Sequence, residues 1–340
     1  MVTTPPATLT TRSPGPRLPA AGPGRLEHLP VTVFAVVMGL GGTAVAWLRA
    51  ADFLGAPAVI GQVLAWLALA VFAVLALLYA AKVARHRPAV RAEWRHPVKL
   101  AFVPTGSIAL VILSLALTDL APPLAAVLWW SGAAAQLALT LDVLRTWIAD
   151  PRFTVDHVHP AWFIPVVGNL VVPLAGVAHG PVQLAWFFFS VGLVYWLALL
   201  PLVLGRLVLG GMLPARLAPT LAILVAPPAV AALAWVRLGG HWSDPAAQIL
   251  LNVAVFQLLL LSVQSDALRR LPFSLASWAY TFPLAAATAA LLAAGHAGLG
   301  DGYTWLGVLT LAVTSLLVTG LGARTALAVR RGEICRPDQP

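Results

Sequence analysis

The repeating unit of this chain is contained in residues 98–147, where VKLAFVPTGSIALVILSLAL (residues 98–117) is followed by PPLAAVLWWSGAAAQLALTLDVLRTW (residues 122–147). Each run is long enough to cross the roughly 30 Å hydrocarbon core of a bilayer as an α-helix. The first run carries Pro104 and Gly106 in its interior, whereas the second has no proline beyond its first turn. Because an interior proline removes a backbone hydrogen bond and kinks a helix, the pair predicts a hairpin of one broken and one smooth helix.

The same unit recurs along the chain, which contains ten apolar runs between about residue 30 and residue 328. None of them alternates apolar with polar residues as the strands of a membrane barrel do, so the predicted fold is all-α with ten transmembrane helices. Every second run is interrupted, and the interruptions that we expect to kink the helix or line a pore are Gly39, Pro104, Pro165, Gly168, Pro227 and Pro283.

A two-helix repeat re-enters the membrane with the same orientation each time, so its copies are related by an axis along the membrane normal. Backbone carbonyls freed by a kink must meet protein or water rather than lipid. We therefore predict five hairpins in a quasi-five-fold ring, with the kinked odd helices inside and the even helices outside.

Composition and charge place the chain in a membrane. The 340 residues are 60% hydrophobic and 10% charged, whereas a soluble protein has about 25% charged residues. With the N-terminus placed in the cytoplasm, 19 of the 21 Lys and Arg residues lie on the cytoplasmic side and only Arg49 and Arg237 on the other. This bias is the positive-inside pattern, so we expect a multi-pass protein of the plasma membrane with both termini cytoplasmic. It also explains the net charge of +9 without a nucleic-acid partner.

The domain organisation follows from the same pattern. Residues 1–27 are rich in Pro, Thr and Gly, and we expect a disordered cytoplasmic segment there. Residues 28–328 form the ten-helix transmembrane domain, and residues 329–340 form a cytoplasmic tail. A signal peptide is not expected, because nine further apolar runs follow the first. The single cysteine, Cys335, excludes an intrachain disulfide.

Motifs of catalysis and ligation are missing from the sequence. No nucleophile elbow, phosphate loop or zinc-protease motif occurs, so we expect neither an enzyme nor a bound cofactor. Asp156, His157 and His159 resemble metal ligands, but they occupy a short loop with no further ligand close in sequence, and we expect no metal. Asp142 lies within a span, and Arg145 three residues later favours an interfacial ion pair over a proton relay.

An inner ring of kinked helices predicts a pore with almost no charge in it. Most uncharged polar residues of the spans should hydrogen-bond between helices, and Thr105, Asn169 and Thr281 are the candidates to line the pore. Helix N-termini at the kinks and the basic cytoplasmic face favour anions. Since no charge is available to gate such a pore, the gate must be a bulky side chain that closes and dewets the path.

Four stretches resemble the slow-type anion channel, tellurite-resistance (TehA) and dicarboxylate (malic acid) transporter family. The resemblance runs from about residue 28 to residue 328, a range that corresponds to the membrane part of the plant members and not to their long cytoplasmic domains. Its third and fourth stretches are the most specific. The stretches are MGLGGTAVAW (residues 38–47), HPAWFIPVVGN (159–169), LPARLAPTLAILVAPP (213–228) and FSLASWAYTFP (273–283).

The resemblance implies a ring of five hairpins, assembly as a homotrimer, and a gating phenylalanine in the ninth helix. The match of the fourth stretch places the gate at Phe282, with Phe273 and Tyr280 as alternatives in another register. We therefore expect an anion channel for small inorganic or organic anions, gated by Phe282. The alternative is a secondary transporter that exports organic anions or oxyanions, such as malate, sulfite or tellurite.

Overall fold

The computed structural model describes residues 25–335, in which all regular structure is helical and no strand forms. Ten helices are long and apolar enough to cross a membrane, which confirms the predicted all-α fold with ten spans. In chain order, the spans are Val31–Leu54, Ala58–Arg85, Lys99–Leu117, Pro122–Ala149, Pro160–His179, Val182–Leu209, Ala218–Arg237, Pro245–Val263, Leu275–His296 and Asp301–Arg330. Most of the N-terminal segment expected to be disordered lies outside the described residues.

The odd spans are composite helices. The third, seventh and ninth begin as 3₁₀ helices and continue as α-helices, and the fifth alternates twice between the two forms. Their pieces are Lys99–Phe102 and Thr105–Leu117; Pro160–Trp162, Phe163–Val167, Gly168–Val171 and Val172–His179; Ala218–Val225 and Ala226–Arg237; Leu275–Tyr280 and Thr281–His296.

Several prolines stand where the α-helical part of an odd span begins. Pro104 directly precedes the α-helix of the third span, Pro227 and Pro228 follow its first residue in the seventh, and Pro283 lies in its first turn in the ninth. The first turn of an α-helix has no intrahelical use for the N–H that proline lacks. These prolines therefore mark a change of helix type rather than a kink within a continuous α-helix.

The first span departs from this pattern and corrects the prediction for Gly39. After a 3₁₀ turn at Val31–Val33, one uninterrupted α-helix runs over Phe34–Leu54 and includes Gly39 and both neighbouring glycines. A Cβ at Gly39 would overlap the side chains of Thr281 and Trp278. The glycine is therefore required for close packing against the ninth span, and it does not break the helix.

The even spans are long, continuous α-helices on the outside of the molecule, and the sixth of the ten spans contains Pro201 in its interior. In each even span 11–39% of the most apolar window is buried within the protein, against 67–83% in the odd spans. The even spans leave large apolar side chains exposed, as lipid contact requires; examples are Val63, Leu77, Phe256 and Leu316.

The spans pack as hairpins, because each odd span contacts the even span that follows it. The odd spans also contact one another in a closed sequence: the first with the third, the third with the fifth, the fifth with the seventh, the seventh with the ninth, and the ninth with the first.

A buried ion pair connects the second span to the segments beside it. Lys82 Nζ lies 3.0 Å from Glu93 Oε2, on the short helix Arg87–Arg95, and donates a hydrogen bond of 2.7 Å to the carbonyl of Leu29. Tyr79 Oη donates to the same carboxylate at 3.1 Å. Both charges are therefore partnered, as charges removed from water must be.

Candidate functional site

Two cavities lie one after the other between the odd spans. The first, of about 80 Å³, is lined by residues from all five odd spans, mostly in their N-terminal halves. Thr105 contributes its only hydroxyl group, and no charged side chain of the described chain lines it. The second, of about 50 Å³, is lined by the C-terminal halves of the same five spans. Both cavities are small and largely apolar, and we call the region that they occupy the path.

Phe282 is shared by the two cavities. It lines both of them, together with Val171 of the fifth span and Val230 of the seventh. The residue lies in the first turn of the α-helical part of the ninth span, where a 3₁₀ helix gives way to the α-helix. Opposite it, a Cβ at Gly42 would lie 3.1 Å from Cδ2 of the Phe282 ring. The ring therefore packs close to the backbone of the first span at Gly42.

The aromatic alternatives to Phe282 lie elsewhere. Phe273 lies under the guanidinium of Arg324, whose Cζ is 4.8 Å from the ring centroid, and it lines neither cavity. Tyr280 also lines neither of them. Of the three aromatic residues that the sequence singled out, only Phe282 faces the path.

The predicted lining residues divide into two groups. Gly168, Pro227, Pro283 and Thr105 line the first cavity. The others line neither cavity: Gly39, Pro104, Pro165, Asn169 and Thr281. The prediction that Asn169 and Thr281 line a pore therefore does not agree with these cavities.

Asn169 and Pro165 belong to a polar network between the fourth and fifth spans. The Pro165 carbonyl accepts hydrogen bonds from Gln136 Nε2 at 3.0 Å and from Thr140 Oγ1 at 2.7 Å. Asn169 Nδ2 donates to Thr140 Oγ1 at 2.9 Å, and Ser107 Oγ donates to Gln136 Oε1 at 2.7 Å. The outer span thus satisfies a carbonyl of the broken inner span, which explains why these polar groups turn away from the path.

The two threonines use their hydroxyl protons locally. Thr281 Oγ1 donates to the Trp278 carbonyl at 2.7 Å, and Thr105 Oγ1 lies 2.7 Å from the Phe102 carbonyl. Both bonds span three residues at the junction between a 3₁₀ and an α-helical segment, where ladder hydrogen bonds change partner. Thr105 therefore presents to the cavity a hydroxyl whose donor is already used.

The histidines of the loop before the fifth span serve different roles. His157 Nδ1 accepts a hydrogen bond from the Thr154 backbone N–H at 3.2 Å. His159 is buried against Phe102, with ring centroids 6.0 Å apart, and burial lowers the pKa of His159 to about 4 with a smaller effect of His157. Within residues 25–335 no three His, Cys, Asp or Glu side chains gather as metal ligands.

Sequence reasoning did not single out Val171, Val230 or the pair Arg49 and Arg237 as lining residues. The valines have no sequence signal, because they differ in nothing from the other valines of the spans. The arginines do have one, since they are the two basic residues that the charge distribution assigns to the outer side.

These features define a class: a polytopic α-helical membrane protein with an apolar path between its odd spans. Comparison with known proteins identifies the family within that class. Residues 28–326 match the family described as voltage-dependent anion channel, SLAC1, and the chain belongs to this family. The resemblance inferred from the four sequence stretches is thereby confirmed.

Characterised relatives come from plants and bacteria. The chain is 29% identical over 311 residues to S-type anion channel SLAH2 of Arabidopsis thaliana, covering 89% of this chain and 58% of that protein. It is 30% identical to S-type anion channel SLAH3 of the same plant, covering 78% of this chain and 43% of the relative. Tellurite resistance protein TehA homolog of Haemophilus influenzae is 27% identical, with 81% and 84% covered. The chain thus spans about half the length of the plant relatives.

Proposed function

We propose that this protein is a transmembrane anion channel in which the five odd spans form a quasi-five-fold ring around a central path that Phe282 closes. The observation that carries the proposal is the position of Phe282 between two cavities, each lined by all five odd spans. The closed sequence of contacts among those spans supports the ring. The names of the relatives SLAH2 and SLAH3 support anions as the permeant species.

The chemistry of the path fits gating by bulk. A narrow apolar constriction excludes water, and an ion cannot enter it without losing its hydration shell. With no charged side chain on the first cavity, the energy of dehydration sets the selectivity, so weakly hydrated anions pass most easily. Removing the Phe282 ring joins the two cavities and lowers this barrier.

The test is the chloride conductance of Phe282→Ala in planar bilayers. We expect a rise of roughly tenfold or more, which corresponds to about 1.4 kcal/mol removed from the barrier. Phe256→Ala is the matched control, because Phe256 is exposed on the eighth span and lines neither cavity. A folded Phe282→Ala protein with wild-type conductance would contradict the gate.

The second candidate is a secondary transporter of small organic anions or oxyanions. It is favoured by one relative, a Methanocaldococcus jannaschii protein named as an uncharacterised transporter and 26% identical over 276 residues. Proton coupling would use Asp142, which is half-buried on the fourth span and forms no ion pair with Arg145 among the described residues. Saturable malate flux that follows a proton gradient and disappears in Asp142→Asn would favour this candidate over the channel.

We further propose that the protein resides in the plasma membrane as a homotrimer, with both termini in the cytoplasm. The distribution of Lys and Arg supports the orientation. The exposed apolar faces of the even spans offer surface both to lipid and to neighbouring subunits.

A further inference from the structure

The second cavity carries a charge that the first lacks. Its lining includes Arg49, near the C-terminal end of the first span, and Arg237, the last residue of the seventh. Every other residue that lines it is apolar or glycine. Two arginines from different spans thus meet at a cavity of about 50 Å³ on the far side of Phe282 from the first cavity.

The two arginines differ in their partners. Arg49 Nη1 lies 2.9 Å from Asp52 Oδ2, so its charge is neutralised locally. Arg237 is exposed and makes neither a side-chain hydrogen bond nor an ion pair with any described residue. The charged groups near enough to act on it are Arg49, Asp119 and Asp52, and neither aspartate lines the cavity. The guanidinium of Arg237 therefore keeps its donors available at the cavity.

The charge distribution makes this position unusual. All other Lys and Arg residues fall on the cytoplasmic side of the predicted topology, as the positive-inside pattern requires. An arginine at the end of a span ordinarily serves as an anchor that extends its head group to the lipid interface. Here both basic residues of the outer side instead line one cavity, which an anchoring role does not require.

We propose that Arg237, with Arg49 beside it, forms a binding site for small monovalent anions at the outer entrance of the path. The inference rests on the proposed channel function. A cationic group at a cavity with low-dielectric walls raises the local concentration of anions and holds one in place. The guanidinium fork supplies charge-assisted hydrogen bonds that replace part of the lost hydration shell. Phe282 lines the same cavity as the two arginines, so an anion bound there lies next to the proposed gate.

The first test measures chloride current in planar bilayers while chloride is varied on one side at a time. In Arg237→Gln we expect the half-saturating chloride concentration to rise about fivefold or more on the outer side only. Arg237→Lys keeps the positive charge and should raise the outer half-saturating chloride concentration less than Arg237→Gln does. Arg216→Gln is the matched control, because Arg216 is an exposed arginine in the loop before the seventh span. An unchanged outer half-saturation in Arg237→Gln, or an equal shift in Arg216→Gln, would overturn the site.

The second test does not depend on flux. The midpoint of thermal unfolding in detergent is compared in sodium chloride and in sodium gluconate at equal ionic strength. We expect chloride to raise the midpoint of the wild type and of Arg216→Gln, and to lose this effect in Arg237→Gln. If no variant conducts but this pattern holds, the anion site stands and the channel proposal fails. If Arg237→Gln conducts and retains the chloride effect, the site is refuted and the channel stands.

Discussion

At the scale of single residues, position in the fold distinguishes side chains that the sequence leaves equivalent. Phe282 is one of twelve phenylalanines, and it is the one of them that lines both cavities. The resemblance to a family placed a gate at this position, whereas composition and spacing could not. The two valines that line both cavities with it, Val171 and Val230, carry no local signal at all.

Gly39 is the residue for which sequence and structure disagree most clearly. The glycine run predicted a break in the helix. The structure instead shows a continuous helix whose glycines let neighbouring spans pack closely against it. Glycine permits both outcomes, since it lowers helix propensity and also removes the Cβ that would keep two helices apart. Only the partner, in this case Thr281 of the ninth span, determines which outcome applies.

Gly39→Ala should therefore destabilise the protein, by about 1–3 kcal/mol, because the added methyl overlaps the Thr281 and Trp278 side chains. The measurement is the midpoint of thermal unfolding in detergent. Gly320→Ala is the matched control, since nothing lies within 4 Å of a Cβ at this position of the tenth span. There we expect no loss of stability, because alanine favours a helix more than glycine does. Equal midpoints for the two variants would contradict the packing role.

At the scale of secondary-structure elements, the odd spans are defined by their change of helix type. The sequence predicted the interruptions of the third, fifth, seventh and ninth spans, because proline has no N–H to donate and restricts the residue before it. It did not predict the 3₁₀ helices in the N-terminal parts of the third, seventh and ninth spans. Nor did it predict which side chains donate hydrogen bonds to the carbonyls that the interruptions leave without a partner. Those partners come from another span, as Gln136 and Thr140 show for Pro165.

Gln136→Leu should loosen the contact between the fourth and fifth spans. The substitution removes a donor to the Pro165 carbonyl and the acceptor used by Ser107, so we expect a loss of about 1–2 kcal/mol in stability. Gln183→Leu, at an exposed position in the first turn of the sixth span, controls for the change from Gln to Leu. Unfolding midpoints in detergent compare the two, and a larger loss in Gln183→Leu would refute this account of the network.

At the scale of the whole molecule, the closed sequence of contacts among odd spans follows from a simple asymmetry. Interrupted helices release backbone groups that lipid cannot satisfy, and smooth helices release none. The four spans interrupted by proline are accordingly buried, and the first span, whose α-helix is uninterrupted, is buried through the close contacts of its glycines. The ion pair of Lys82 and Glu93 then fixes the N-terminal segment and the short helix Arg87–Arg95 against the second span.

The proposed orientation and assembly can be tested together in cells. In a Cys335→Ser background, an impermeant maleimide should label Asp301→Cys, at the first residue of the tenth span, in intact cells. It should label Arg216→Cys only after permeabilisation, because that loop lies on the cytoplasmic side of the proposed topology.

Native mass spectrometry of the purified protein should give three times the 35.7 kDa chain mass. The reverse labelling pattern would invert the topology, and a monomer mass would remove the trimer.

The sequence by itself determined the class of protein, the number of spans and the interruption of the third, fifth, seventh and ninth. It could do so because hydropathy, charge bias and the missing N–H of proline act locally, whatever the rest of the chain does. Only the tertiary structure decided which side chains face the path, because that depends on how spans distant in sequence rotate against one another. It turned Asn169 and Thr281 away from the cavities, set Gly39 against the ninth span, and brought Arg49 and Arg237 together beyond Phe282.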